Sequence, residues 1–289
     1  MIRFLRRFDP RSIRLLIFDL DGTLIDSRLD LVHSVNATLR HFARPELNGA
    51  VIASYVGDGA PTLVRRALIA DGEALDPAVS AESALASTTT DPADHEAFFR
   101  SALDYFLGYY RLHKLDHTTV YDGIPETLAA LANGVAHIPA APSAPSGHAE
   151  IAPAAGPGSP SVQAAARHDA RPARLMAVLS NKPVRPSQDI VKALGLADFF
   201  VRIYGGNSFA TKKPDPLGAR TLLEETGVPA GQALIIGDSS VDVLTARNAG
   251  IWSCGVNYGF APHSLEEVPP DVAVDAPREL GELLLRFSV

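Results

Sequence analysis

A chain of 289 residues, 46% hydrophobic and 20% charged, carries enough apolar material for one large core or two smaller ones. It has no run of about 18 uninterrupted apolar residues, which excludes a membrane-spanning helix, and its formal charge of −7 excludes a broad nucleic-acid surface, which would need clustered Lys and Arg. The single cysteine, Cys254 in the apolar run "IWSCGV", excludes an intramolecular disulfide and suits a reducing compartment, with the cytoplasm as the expectation.

The opening "MIRFLRRFDPRSIR" has its apolar residues broken up by Arg3, Arg6, Arg7 and Asp9, so it reads as a short solvated lead-in rather than a signal peptide. In "LLIFDLDGTLIDS" the run Leu15 to Phe18 is continuously apolar, the pattern of a strand covered on both faces. It ends in Asp19 and Asp21, with Gly22 giving a tight turn before Thr23. Asp and Gly also make ordinary turns. Two carboxylates at the carboxyl end of a strand, however, repel unless a cation or a shared proton intervenes, and that end is where open α/β sheets place ligands. A hard, oxygen-seeking cation such as Mg²⁺ suits such a pair.

Helical spacing follows: Leu31, Val35, Leu39 and Phe42 recur from Asp30 to Arg44-Pro45. "SYVGDGAPTLVRRAL" gives a glycine turn with Pro61 placed to open a helix, Asp71 to Asp94 carries little signal, and Phe98 to His113 is strongly amphipathic. From "YDGIPETLAALAN" onward the pattern alternates, with a helix at Pro125 to Asn133 and then short strands in "LMAVLSN", "FFVRIYGG", "ALIIGDS" and "IWSCGVN". Such alternation predicts an α/β fold with a doubly wound parallel sheet. Residues 1–27 and 117–289 form the expected core, and the all-helical section 28–116 is an insertion after the first strand. Within 138–173, 26 of 36 residues are Ala, Pro, Gly or Ser. That segment has little to bury against the entropy of ordering and is expected to be a surface insert.

Three more strand ends carry polar groups. "AVLSNKP" delivers Ser180 and Asn181, "YGGNSFATKKPDP" delivers Lys212 and Lys213, and "LIIGDSSVDV" delivers Asp238 and Asp242. Singly these read as a helix cap, a solvated loop and a turn. Together with Asp19 and Asp21 they place a hydroxyl, an amine and three to four carboxylates on one rim of one sheet.

That order of motifs resembles the haloacid dehalogenase superfamily, whose phosphatases carry D-x-D-G-T, a Ser or Thr ending the second strand, a Lys and G-D-x-x-x-D. Within it, "FDLDGTLIDS", "YVGDGAPTLVRRAL", "KKPDP", "IIGDSSVDVLTARNAG" and "VNYGF" most resemble the phosphoglycolate phosphatase group, which has a helical cap after the first strand. The resemblance implies Mg²⁺-dependent hydrolysis of a small phosphate monoester. Asp19 would be the nucleophile and Asp21 the general acid and base, with Ser180 and Lys213 neutralising charge on the phosphoryl group. Lys213 is preferred to Lys212 because the family lysine directly precedes the proline. Mg²⁺ would be held by Asp19, the main-chain carbonyl of Asp21 and Asp238, with Asp242 as an outer or direct ligand, and Thr23 and Asn181 would cradle phosphate or fix the loop. Gly57, in the turn Gly57-Asp58-Gly59, and Arg66 are candidates for reading the leaving group from the cap. The partner expected is a small phosphorylated substrate, 2-phosphoglycolate first, with a phosphosugar mutase as the alternative activity and a binding or regulatory protein on the same fold as the different class. A carbon-halide displacement is disfavoured, because it has no use for the acid and base at Asp21.

Overall fold

Leu15–Phe18 form β2, and all four side chains are completely buried. In the computed structural model, which describes residues 1–70, 92–132 and 174–285, β2 pairs in parallel with β5 (Leu175–Leu179) on one side and β7 (Ala233–Gly237) on the other. Beyond β5 lies β6 (Arg202–Tyr204), and beyond β7 lie β8 (Trp252–Val256) and β9 (Val272–Val274), all parallel. An antiparallel edge strand, β1 (Arg3–Phe4), completes the order β1-β9-β8-β7-β2-β5-β6. The chain winds one way from β2 to β5 and β6 and the other way to β7, β8 and β9. The crevice beyond the carboxyl end of β2 is therefore the topological switch point.

Alternation along β2 divides the core in two. Leu16 and Phe18 face a cluster that includes Leu128 on α5 (Ile124–Ala132), Ile190 on α6 (Val184–Ala193) and Leu280 on α10 (Pro277–Leu285). Leu15 and Ile17 face the opposite cluster, with Leu222 on α7 (Leu217–Thr226) and Ala246 on α8 (Ser240–Ala249). A short helix, α9 (Ser264–Glu267), lies between β8 and β9.

The helical insertion has its own core. Leu31, Val35 and Leu39 of α1 (Arg28–His41) and Ile52 of α2 (Gly49–Ser54) pack with Leu63 and Val64 of α3 (Ala60–Ile69) and Phe99 and Phe106 of α4 (Pro92–His113). Both chain passages between this bundle and the sheet run through a ribbon of two short antiparallel strands, β3 (Ile25–Asp26) and β4 (Thr119–Val120). Asp30, in the first turn of α1 and only 1% exposed, clasps the ribbon's return. Its carboxylate accepts hydrogen bonds from the backbone N–H of His117 (3.0 Å) and Thr118 (2.9 Å) and from the Thr118 hydroxyl (2.7 Å).

The lead-in differs from its expectation. Phe4 and Phe8 pack on the core, Phe8 stacks on Trp252 with ring centroids 4.9 Å apart, and Met1 and Arg3 pair with Asp275, so aromatic anchors convert a basic segment into the edge strand β1. The helical insertion therefore follows the second strand of the seven-stranded sheet, β2, by way of the ribbon strand β3. Pro61 stands one residue inside α3, which starts at Ala60. The expected insert 138–173, and residues 71–91 of the low-signal stretch, lie outside the described residues.

Replacing Asp30 with Ala leaves two backbone donors and a hydroxyl without their acceptor and should cost about 2–4 kcal/mol of stability. Thr118→Val, which removes one of those donors, should cost less. Urea unfolding midpoints of the two variants test the order, and an Asp30→Ala protein as stable as the parent would show that the clasp does not hold the ribbon.

Candidate active site

Three parallel strands, β2, β5 and β7, deliver their following residues to one place. Asp19 directly follows β2 and is tied back to β7 by its N–H to Ile236 O (2.8 Å). The turn after it needs Gly22 at φ 80°, where a Cβ would fall 2.2 Å from Asp238 Oδ2, so only glycine lets the β2 loop and the β7 loop approach. Asp238, directly after β7, accepts hydrogen bonds from the backbone N–H of Phe260 (2.6 Å) and Ala261 (3.3 Å).

Lys213 bridges two carboxylates: Nζ lies 2.8 Å from Asp19 Oδ1, as an ion pair without hydrogen-bond alignment, and donates to Asp242 Oδ1 at 2.6 Å. The other oxygen of Asp242 accepts from the Ser239 hydroxyl at 2.8 Å. Asp242 is thus committed to holding Lys213 and the start of α8. Lys212 points elsewhere, donating to the carbonyl of Asp58 in the cap loop. Asn181 Nδ2 likewise reaches across, to Gly57 O (3.2 Å) and to Lys213 O (3.1 Å). The turn Gly57-Asp58-Gly59 therefore sits directly on the site.

Asp21 stands apart from the other carboxylates. Both of its oxygens accept from Lys182 Nζ, at 2.7 and 2.8 Å, and Oδ1 also accepts from the Ser27 hydroxyl. The Lys182 ammonium faces the Tyr110 ring from α4, 4.9 Å from its centroid. A cavity of about 60 Å³ opens here, lined by Asp19, Asp21, Ser180, Asn181 and Lys182 from the core and by the cap loop with apolar residues of α1, α3 and α4. Gly57 lines it. Arg66 does not: its guanidinium pairs with Asp58 at 2.8 Å and donates to Tyr55 O. Thr23 is also outside the lining, fully buried with its carbonyl accepting from Tyr258.

Carboxylate oxygens of Asp19, Asp238 and Asp242 lie within 4.8 Å of one another, and all three residues are buried. Burial pushes Asp238 up to about 8, reinforced by the negative charges of Asp19 and Asp242 and resisted by the Phe260 and Ala261 N–H groups. Burial also raises Asp19, with Asp242 and Asp21 adding to it and Lys213 opposing. Lys213 is held above its ordinary range, because the two carboxylates outweigh the cost of burying its charge. One ammonium against three clustered carboxylates leaves negative charge uncompensated, and an all-oxygen donor set of that kind fits a hard divalent cation. A second cluster, Asp30 with His33 and His117, has its carboxylate filled by backbone and hydroxyl donors and is accounted for as the ribbon clasp.

A family model described as haloacid dehalogenase-like hydrolase matches residues 16–138 and 173–256, which take in β2, the helical insertion and β5 to β8. The chain belongs to that family. A protein from Vibrio cholerae named phosphoglycolate phosphatase is 31% identical over 277 residues, covering 95% of this chain and 96% of the relative. One of the same name from Rhodospirillum rubrum is 32% identical, covering 95% and 91%. A solved structure of a predicted phosphoglycolate phosphatase from Haemophilus somnus superimposes with a TM-score of 0.69 at 25% identity, covering 94% of this chain and 97% of the other.

For this haloacid dehalogenase-like hydrolase, motif reading passed over Lys182, Tyr110 and the Phe260 backbone. Lys182 carried a signal, since it stands two residues after Ser180 at a strand end. Tyr110 carried none, because a tyrosine on the apolar face of an amphipathic helix reads as core. Among the described residues no helix is long and apolar enough to cross a membrane.

The folded state holds a proton on Asp238 up to about pH 8, whereas the unfolded chain releases it near 3.8, so stability falls as pH rises through that window. In EDTA the thermal midpoint should drop between pH 5 and pH 8, and Mg²⁺ should raise it more at pH 8 than at pH 5. Asp238→Asn should flatten both trends. Scanning calorimetry measures all of these, and equal stabilisation by Mg²⁺ at the two pH values would count against a cation on these carboxylates.

Proposed function

We propose that this protein hydrolyses a small phosphate monoester, 2-phosphoglycolate first, with Mg²⁺ and through a phosphoryl group carried on Asp19. The chain is a phosphoric monoester hydrolase, and the observation that carries the finer reading is the division of four aspartates, three buried and Asp21 half-buried, into two sets. Asp19, Asp238 and Asp242 cluster with Lys213, while Asp21 stands beside them with Lys182, inside a cavity closed by the cap. Identical side chains in different surroundings are suited to different roles.

In this reading Asp19 attacks phosphorus in line with the ester oxygen, forming an acyl phosphate as the P–O(ester) bond breaks. Asp21 gives its proton to the departing alkoxide, then takes a proton from the water that attacks the acyl phosphate, restoring Asp19 and releasing orthophosphate. Lys213, held by Asp242, and the Ser180 hydroxyl face the transferring group, where negative charge spreads over the phosphoryl oxygens. Mg²⁺, held by Asp19, Asp238 and the main-chain carbonyl of Asp21, would supply further charge neutralisation. Asp242, both of whose oxygens are already engaged, serves by fixing Lys213.

Residues 28–116 act as the cap, and their loop at Gly57 excludes water by resting on Asn181. The cavity is small, about 60 Å³, and its cap side is apolar, which favours a compact leaving group over the polyhydroxylated hexose that a sugar mutase handles. The buried, free Cys254 accords with the cytoplasm as the site of action.

The test is release of orthophosphate by the purified protein from 2-phosphoglycolate, glycerol phosphate, hexose phosphates, nucleoside monophosphates and pyrophosphate, with and without Mg²⁺. Asp19→Asn should abolish turnover, at least 10³-fold. Asp21→Asn should still trap phosphate on the protein while slowing release. Near-normal activity of Asp19→Asn would refute the nucleophile, and preference for a hexose phosphate or nucleotide would refute the substrate.

A further inference from the structure

Of the charged side chains that line the cavity among the described residues, Asp19 and Asp21 are anionic and Lys182 is the one cation. Lys213, the other ammonium of the site, lies outside the lining, between Asp19 and Asp242. Arg66, the cap residue with the right chemistry for a carboxylate, is occupied by Asp58 and Tyr55 and does not reach the cavity. The remaining cap wall is apolar, with Leu31, Val56, Leu63, Phe106 and Leu107. A leaving group that entered with a negative charge would meet only one group able to pair with it.

We propose that Lys182 is the specificity residue of the site and pairs with a carboxylate on the leaving group one carbon away from the ester oxygen. The inference rests on the phosphatase reading and adds to it the residue that recognises the substrate's second anion. Its geometry follows from Asp21. If that carboxyl group hydrogen-bonds the ester oxygen at about 2.8 Å, Lys182 Nζ, 2.7 Å from Asp21 Oδ1, lies no more than roughly 5.5 Å from the same ester oxygen. A carboxylate joined to that oxygen through a single CH₂ then falls within ion-pair reach of Nζ.

Lys182 is also fixed in place. Its backbone N–H donates to Ser180 Oγ at 3.3 Å, Pro183 follows it, and its ammonium is wedged between Asp21 and the Tyr110 ring of the cap. Core and cap therefore converge on a single positive charge. An ammonium stripped of water, with Asp21 on one side and the Tyr110 ring on another, distinguishes a carboxylate from a neutral or cationic group of the same size better than an exposed one would.

The experiment compares kcat/KM for 2-phosphoglycolate, ethyl phosphate and O-phosphoethanolamine, which share a two-carbon leaving group and differ in charge. Removal of Lys182 also strips Asp21 of its partner and slows all three, so the ratio between substrates is the readout. The parent protein should favour 2-phosphoglycolate over ethyl phosphate by at least 10²-fold. Lys182→Met should reduce that ratio tenfold or more, chiefly through KM, and Lys182→Arg should recover part of it. Glycolate should inhibit the parent protein competitively, and ethylene glycol should not, a measurement that needs no variant.

An unchanged ratio in Lys182→Met, or no inhibition of the parent by glycolate, would overturn the role of Lys182 while leaving the phosphatase standing. A parent protein that turns over all three esters equally would overturn both the anionic substrate and the residue assigned to it. No turnover of any ester with Mg²⁺ present would overturn the function itself.

Discussion

Four aspartates gathered at one sheet rim, three of them buried and Asp21 half-buried, are the constraint around which this molecule is built. Each would prefer water, and the fold denies it to them by covering β2 on both faces and closing the rim with a helical bundle. The cost is offset locally. Lys213 is shared by Asp19 and Asp242, Lys182 is given to Asp21, and backbone N–H groups after β8 are turned onto Asp238. Those pairings dictate the loops: the left-handed Gly22 exists so that Asp238 can approach, and Asp242 sits in the first turn of α8 where it can hold both Lys213 and Ser239.

The cap is bound to the same electrostatic centre. Asn181 and Lys212, neighbours of Ser180 and Lys213 in sequence, donate to the carbonyls of Gly57 and Asp58. Residues adjacent to the charged centre thus report to the bundle above it, and Lys182 meets Tyr110 of α4. The contacts that seat the bundle and those that arrange the charges thus share residues, which accords with a reaction that has to shield a phosphoryl group while it neutralises its charge.

Much of this was legible in the chain because the strands are short, apolar and punctuated. Leu15–Phe18, Leu175–Leu179 and Ala233–Gly237 each run apolar into a polar residue, and the parallel order follows from the helices between them. The resemblance in the motifs then placed Asp19, Asp21, Ser180, Lys213 and Asp238 on one rim. Less legible were elements whose cause is tertiary. β1 exists because Phe4 and Phe8 find Trp252 and its surroundings, and β3 and β4, two residues each, exist because Ile25 and Val120 meet across almost a hundred residues of sequence. Arg66 looked free to bind an anion because sequence spacing does not show that Asp58, eight residues earlier, folds back onto it. Lys182 was invisible as a partner of Asp21 for the same reason: 161 residues separate them.

The two-stranded ribbon has a mechanical side. Because both crossings between bundle and sheet pass through β3 and β4, and Asp30 pins the returning strand to the first turn of α1, the bundle is mounted like a door on one narrow hinge. The hinge begins at Ile25, and the backbone N–H of Gly22 donates to the Ile25 carbonyl at 2.9 Å. The strand that mounts the bundle is thus bonded directly to the short loop that carries Asp21, so the placement of the group at the chamber's floor and the mounting of its roof share one stretch of backbone.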